Sequence, residues 1–176
     1  MSDPLVRREG LTPATGTRRA RGRSERRRDD VREFLAFALG GERFALPLAS
    51  IREILKVSQL TEVPRSKPWV LGILSVRGRI TTIIDLRRRL RMSATPWHKQ
   101  NRILLVDAGD EVQGLLVDEV FQVYRLQEDE VELAAVVAGD LSEYVLGIGR
   151  PGTGAGQRAD PEELLVLLDP EPLLRR

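Results

Sequence analysis

The chemistry-bearing residues of this chain are few and scattered. There is one histidine and no cysteine. That removes thiolate metal sites, Fe–S clusters, disulfides and cysteine nucleophiles, and it excludes any metal site built from several histidines. His98 lies in the stretch Thr95-Pro96-Trp97-His98-Lys99. A catalytic role would make it a general base, but no Ser sits in a G-x-S-x-G turn to be activated. It reads as an exposed loop histidine. Gly147-Ile148-Gly149-Arg150-Pro151-Gly152 matches G-x-G-x-x-G. A dinucleotide site needs a helix N-terminus at that point, and Thr153-Gly154-Ala155-Gly156 starts no firm helix. The glycines read as a flexible loop. Carboxylates cluster at Glu128-Asp129-Glu130-Glu132 and at Asp160-Glu162-Glu163, runs that are usually solvated and that lack EF-hand spacing. Asp85, Asp107 and Asp118 end apolar segments. Arg77 differs in kind: it sits at a tight turn between two apolar segments, where an arginine is most often a solvated side chain and, alternatively, a presented interface anchor.

These residues must be carried by a chain of 176 residues with 31% charged and 5% aromatic side chains. The length suits one domain or two small ones sharing a core. Charge is unevenly placed. Residues 1–30 hold nine Arg and five acids, a net charge of +4, whereas residues 31–176 hold 19 basic and 21 acidic residues, a net charge of −2. The first thirty residues have too little apolar surface to offset ordering entropy and are expected to be a disordered Arg-rich tail. No apolar run reaches the ~18 residues of a membrane span, and no secretory signal is readable, so the expected location is cytoplasmic, without membrane insertion.

From Val31 on, short apolar segments alternate with turn signals. Phe34–Leu39 and Phe44–Leu46 flank Gly40-Gly41, a hairpin signal. Pro47, Leu48, Ile51, Ile54 and Leu55 have the spacing of a short amphipathic helix. Trp69–Val76 and Arg79–Asp85 flank Arg77-Gly78, and Leu86–Leu90 suits a helical turn. Strands are expected at Arg102–Asp107, Val112–Asp118, Val120–Arg125, Tyr144–Gly149 and Leu164–Leu168, with a short helix after Asp169. An offset of 69 residues aligns Phe34 with Ile103, Phe37 with Val106, Gly40 with Gly109, Leu46 with Leu115, Ile51 with Val120 and Ile54 with Val123. A duplicated β unit would explain this, and many short strands point to a sandwich or barrel rather than a doubly wound α/β sheet.

Pro68-Trp69-Val70-Leu71-Gly72-Ile73-Leu74-Ser75-Val76-Arg77-Gly78, continuing to Ile83-Ile84-Asp85-Leu86-Arg87, resembles the CheW family of bacterial chemotaxis coupling proteins. The first hairpin with Ile51-Arg52-Glu53-Ile54, the segment Gly114–Val120 and the segment Tyr144–Gly149 resemble that family as well. The likeness covers about residues 32–174. Ser75-Val76 departs from the family's usual Asn-Leu before Arg-Gly. The resemblance implies a mainly all-β fold of two five-stranded SH3-like β-barrels around a shared core, with short helices. The barrels are expected over roughly 31–95 and 96–176, with the chain crossing between them. It further implies a non-catalytic adaptor with no cofactor. Its partners would be the cytoplasmic tip of methyl-accepting chemoreceptors, the regulatory domain of a CheA-type histidine kinase and other CheW-like domains. Matched to the family, Arg77, Gly78, Glu53 and Ile51 are the receptor-binding positions; kinase-binding residues are not assigned. The alternative from the residues alone is a nucleic-acid-binding β-barrel that uses the Arg-rich tail as its arm. The acidic body and the shortage of stacking aromatics count against it. An enzyme built on His98 or a carboxylate cluster has no support beyond composition.

Overall fold

A computed structural model of the chain describes residues 31–93, 95–133, 141–152 and 163–175. The tail 1–30 and most of the Gly-rich stretch 150–162 lie outside the described residues. Eleven strands form two sheets among those described.

The first sheet takes β1 (Arg32–Leu39), β2 (Glu42–Pro47), β8 (Glu119–Leu126), β9 (Val131–Leu133), β10 (Val145–Gly149) and β11 (Leu165–Leu168), in the order β8-β1-β2-β11-β10-β9. The second takes β3 (Ile51–Lys56), β4 (Val70–Val76), β5 (Arg79–Asp85), β6 (Arg102–Ala108) and β7 (Glu111–Val117), in the order β3-β6-β7-β5-β4. Strands from one half of the sequence therefore serve both sheets: the chain leaves the first after β2 and returns at β8. The four-residue helix α1 (Leu86–Arg89) follows β5, and α2 (Pro170–Leu174) follows β11.

The duplicated pattern has a structural counterpart. The hairpins β1–β2 and β6–β7 occupy the same place in the two sheets. Each sends its next strand to the other. β3 pairs with β6 through Ile51↔Val106, Ile54↔Leu104 and Leu55↔Ile103. β8 pairs with β1 through Val120↔Phe37, Val123↔Leu35 and Tyr124↔Phe34. The offset of 69 converts one set of pairs into the other, including the bulge that interrupts each ladder. β5 beside β7 and β11 beside β2 are the two parallel contacts. The sixth strand β9 stands where the second sheet has only the isolated bridge Thr61↔Ile73. Gly72 and Gly147 occupy equivalent positions. A Cβ on Gly72 would lie 2.4 Å from the Thr61 carbonyl oxygen, and one on Gly147 would lie 2.3 Å from that of Glu132. Neither backbone crossing admits a side chain.

Alternation along the strands fills three apolar regions. Phe34, Ala36, Ala45, Leu126, Leu165 and Leu167 fill the first barrel. Ile83, Ile103, Leu105 and Leu116 fill the second, flanked by Leu55, Leu74 and Val76. The opposite faces of the same strands, with Leu35, Phe37, Phe44, Leu46, Leu104, Val106, Leu115 and Val117, meet in the shared core. Strands buried on both faces read as unbroken apolar runs, which is why Phe34–Leu39 shows no polar alternation.

The segment after Pro47 differs from the expected amphipathic helix. Only Leu48–Ser50 form a 3-10 turn, and Ile51–Lys56 is strand β3. Burial alternates along β3, with Ile54 44% exposed, but the bulge between Ile51 and Glu53 puts Ile51 on the shared-core face opposite Val106, and Glu53 and Leu55 on the barrel face opposite Leu105 and Ile103. β-Branched Ile51 and Ile54 favour the extended form, and the edge of β6 supplies the ladder partner.

Candidate functional site

The four matched positions fall on β3 and on the turn between β4 and β5. Arg77 and Gly78 are the central residues of that turn, with φ of 51° and 78°. Positive φ at both positions defines the type I′ hairpin, whose twist matches the flanking strands. Glycine is at ease there; arginine is not. The Arg77 side chain is 79% exposed. Its Nε donates to Glu53 Oε2 at 3.2 Å and its Nη2 donates to Glu53 Oε1 at 3.0 Å. This parallel fork is the strong geometry for guanidinium and carboxylate. The hydrogen-bonded Glu53 carboxylate raises the already high pKa of Arg77, so its charge is fixed throughout the working range.

The structure brings Arg77, Gly78 and Glu53 together and places Ile51 on the other face of β3. Ile51 is half-buried and packs against the shared core. Past the bulge that follows Ile51, Glu53 lies on the other face of β3 and reaches the β4–β5 turn. The expectation that both lie on a helix is therefore replaced by a bulged strand, which turns the core residue to one face and the anchor-holding acid to the other. An open groove runs between β3 and β4, lined by Leu55, Lys56, Ser58, Leu74 and Val76 and ended by Glu53 and Arg77. Around the corner from the turn, Ile80 is 68% exposed and lines a second groove with Arg52, Asp110 and Val112. The sequence reading passed over Ile80; its place one residue past the hairpin turn and its apolar type were the available signal.

The remaining candidates have structural roles or none. His98 is exposed, and its Nδ1 lies 3.1 Å from Gln100 Oε1. Gly147 and Gly149 belong to β10, and Gly152 N–H donates to Glu130 Oε1 at 2.9 Å, so these glycines serve a strand and its exit turn rather than a phosphate loop. Glu130 departs from the solvated reading: it is buried, and its other oxygen accepts the Gln127 N–H at 2.9 Å, closing a capping box. Asp85 and Asp169 cap α1 and α2 through the Arg88 and Glu171 N–H groups. Asp118 accepts Gly40 N–H at 2.7 Å and both arms of Arg87, in a pair whose side chains are 11% and 12% exposed. Among the described residues no group of three or more His, Asp or Glu side chains converges to hold a metal ion. Nor is any helix of those residues long and apolar enough to cross a membrane. What the site offers is a fixed cation on an exposed turn beside two grooves of mixed polar and apolar lining, an arrangement suited to recognition.

Comparison with known proteins agrees. A sequence model described as the CheW-like domain matches residues 33–176. The chemotaxis protein CheW of Helicobacter pylori is 26% identical over 155 residues, covering 88% of each chain. That of Klebsiella aerogenes is 30% identical over 143 residues, covering 81% of each. The crystal structure of the scaffolding protein TtCheW from Thermoanaerobacter tengcongensis superposes with a TM-score of 0.71 at 24% identity, over 81% of this chain and 91% of the other. With its paired β-barrels and its Arg-Gly turn, the chain belongs to the CheW-like domain family.

Proposed function

We propose that this chain is a non-catalytic adaptor in chemotaxis-like signalling. It couples the cytoplasmic tips of chemoreceptors to the regulatory domain of a CheA-type histidine kinase in the cytoplasm. The observation that carries the reading is Arg77, held by Glu53 in an exposed left-handed turn inside a CheW-like frame. A left-handed backbone that arginine seldom adopts, at the tip of an exposed hairpin, is local strain of the kind found at ligand-contacting positions. In this reading Arg77 and Glu53 meet the receptor, Gly78 allows the turn, and Ile51 supports β3 from the core side. The Arg77 fork leaves Nη1 for receptor carbonyls or carboxylates.

The test is co-sedimentation of the purified chain with receptor cytoplasmic fragments and a CheA-type kinase from the same genome, scoring kinase activity. The wild type should join and activate the ternary complex. Arg77→Ala should stay folded and lose receptor affinity at least tenfold. Wild type that binds neither partner at low salt removes the coupling function, and unchanged affinity in the folded variant removes Arg77 from the site.

A further inference from the structure

The opposite end of β4 and β5 carries a cationic cluster that the Arg77 site does not use. Trp69 precedes β4, and α1 follows β5, so this end lies about 20 Å from the Arg77 turn at ~3.3 Å per strand residue. Lys67 Nζ sits 5.2 Å from the centre of the Trp69 ring, and the Arg89 guanidinium sits 4.6 Å from the same ring. Arg88 reaches over to the Pro68 carbonyl at 3.3 Å. Arg65 stands in the same loop, exposed, with φ of 59°.

The charge here is poorly neutralised. Arg65 and Lys67 have no carboxylate partner among the described residues. Arg89 is spent on the carbonyls of Pro172, Leu173 and Arg175, which carry no formal charge. Only Arg88 is paired, with Asp85. The rest of the body is net acidic, so this is a local excess of positive charge on an exposed loop and helix.

We infer that this cluster, led by Lys67 and Arg65, docks an acidic segment of a protein partner other than the one that meets Arg77. Exposed Glu62 belongs to the same loop, and exposed Glu143 neighbours Tyr144, whose ring Arg89 also overlies. The aromatic face is also taken by Lys67 and Arg89, which leaves no stacking platform for a base. The inference rests on the adaptor reading, in which two different partners bind one chain; the second partner is then the kinase.

The experiment compares wild type, Arg65→Glu/Lys67→Glu, Arg65→Gln/Lys67→Gln and Arg77→Ala, all as full chains. Each is titrated separately with the receptor fragment and with the kinase at about 50 and 300 mM salt. The charge-reversed variant should keep receptor affinity and lose kinase affinity at least tenfold at low salt. The neutral variant should lose less, and the differences should shrink as salt rises. Full kinase affinity in both patch variants overturns the assignment, and so does an equal loss of receptor affinity. Loss of binding to phosphatidylglycerol vesicles or duplex DNA with kinase affinity intact overturns it in favour of those partners. Wild type that binds no kinase removes the adaptor reading and this inference with it, an outcome distinct from a silent patch variant.

Discussion

The Arg87–Asp118 pair ties three separate pieces of chain together, and Asp118→Ala tests how much depends on it. Asp118 follows β7, at the point where the chain crosses back to the first sheet. Its carboxylate takes the Arg87 guanidinium from α1 and the Gly40 N–H from the β1–β2 turn, while Arg87 Nη1 has a weaker contact with the Ser93 carbonyl at 3.4 Å. Both side chains are about nine-tenths covered. Removing the carboxylate leaves a guanidinium with one carbonyl acceptor and an N–H with none. Breaking a buried pair from one side costs about 3–5 kcal/mol. Slight exposure and the Ser93 contact put this case near the lower end, about 3 kcal/mol. For a domain of this size that is a fall in Tm of roughly 6–12 °C. Urea and thermal unfolding followed by circular dichroism would read it. Arg87→Met/Asp118→Leu should recover most of the loss, because no charge is then stranded. A loss below about 1 kcal/mol in Asp118→Ala, or a double variant as unstable as the single, would refute the argument that stranded charge dominates.

Gly72→Ala should cost about 2 kcal/mol or more, because the new Cβ pushes on the Thr61 carbonyl and breaks the paired Thr61–Ile73 hydrogen bonds; Gly147→Ala should behave alike, both read by urea unfolding. Arg89→Ala should free residues 170–175, seen as faster amide exchange there, since Arg89 alone holds three of their carbonyls. Burial pushes the Tyr144 hydroxyl up, with Glu143 adding to the shift and Arg89 opposing it. The unfolded chain therefore ionises first, and stability present at neutral pH falls as pH rises past about 10. Tyr144→Phe should flatten that alkaline slope in pH-dependent melting. Arg77→Ala should leave the melting temperature unchanged, because its ion pair is exposed.

Much of this was legible in the sequence because turn chemistry is local. Gly40-Gly41 signals a hairpin and Arg77-Gly78 a tight turn, and the apolar runs around them are strands. The Arg-Gly turn and the order of segments pointed to Arg77. The neighbourhood of Pro47 misled, since spacings of three and four suit a helix as well as an irregular strand, and only the free edge of β6 decides between them. The partner of Arg77 was reachable through Glu53, but not its geometry: a fork between residues 24 apart depends on how β3 is delivered to the second sheet. Glu130 and Asp118 looked like solvated or strand-ending acids because nothing in a linear sequence announces the distant N–H groups and guanidinium they meet. The three-residue strand β9 was invisible, being too short to show any period.

The exchange of β3 and β8 between the two hairpins has a mechanical consequence. Neither barrel is a bead on a string. To separate them, two strands must be peeled from their ladders at once, each pulled from the middle of the chain. Among the described residues the exchanged strands bind the two barrels into a unit that turns and shifts as one piece. An adaptor made this way works as a bracket rather than a tether: whatever grips the hairpin tip of one barrel fixes the distance and angle of whatever sits on the other.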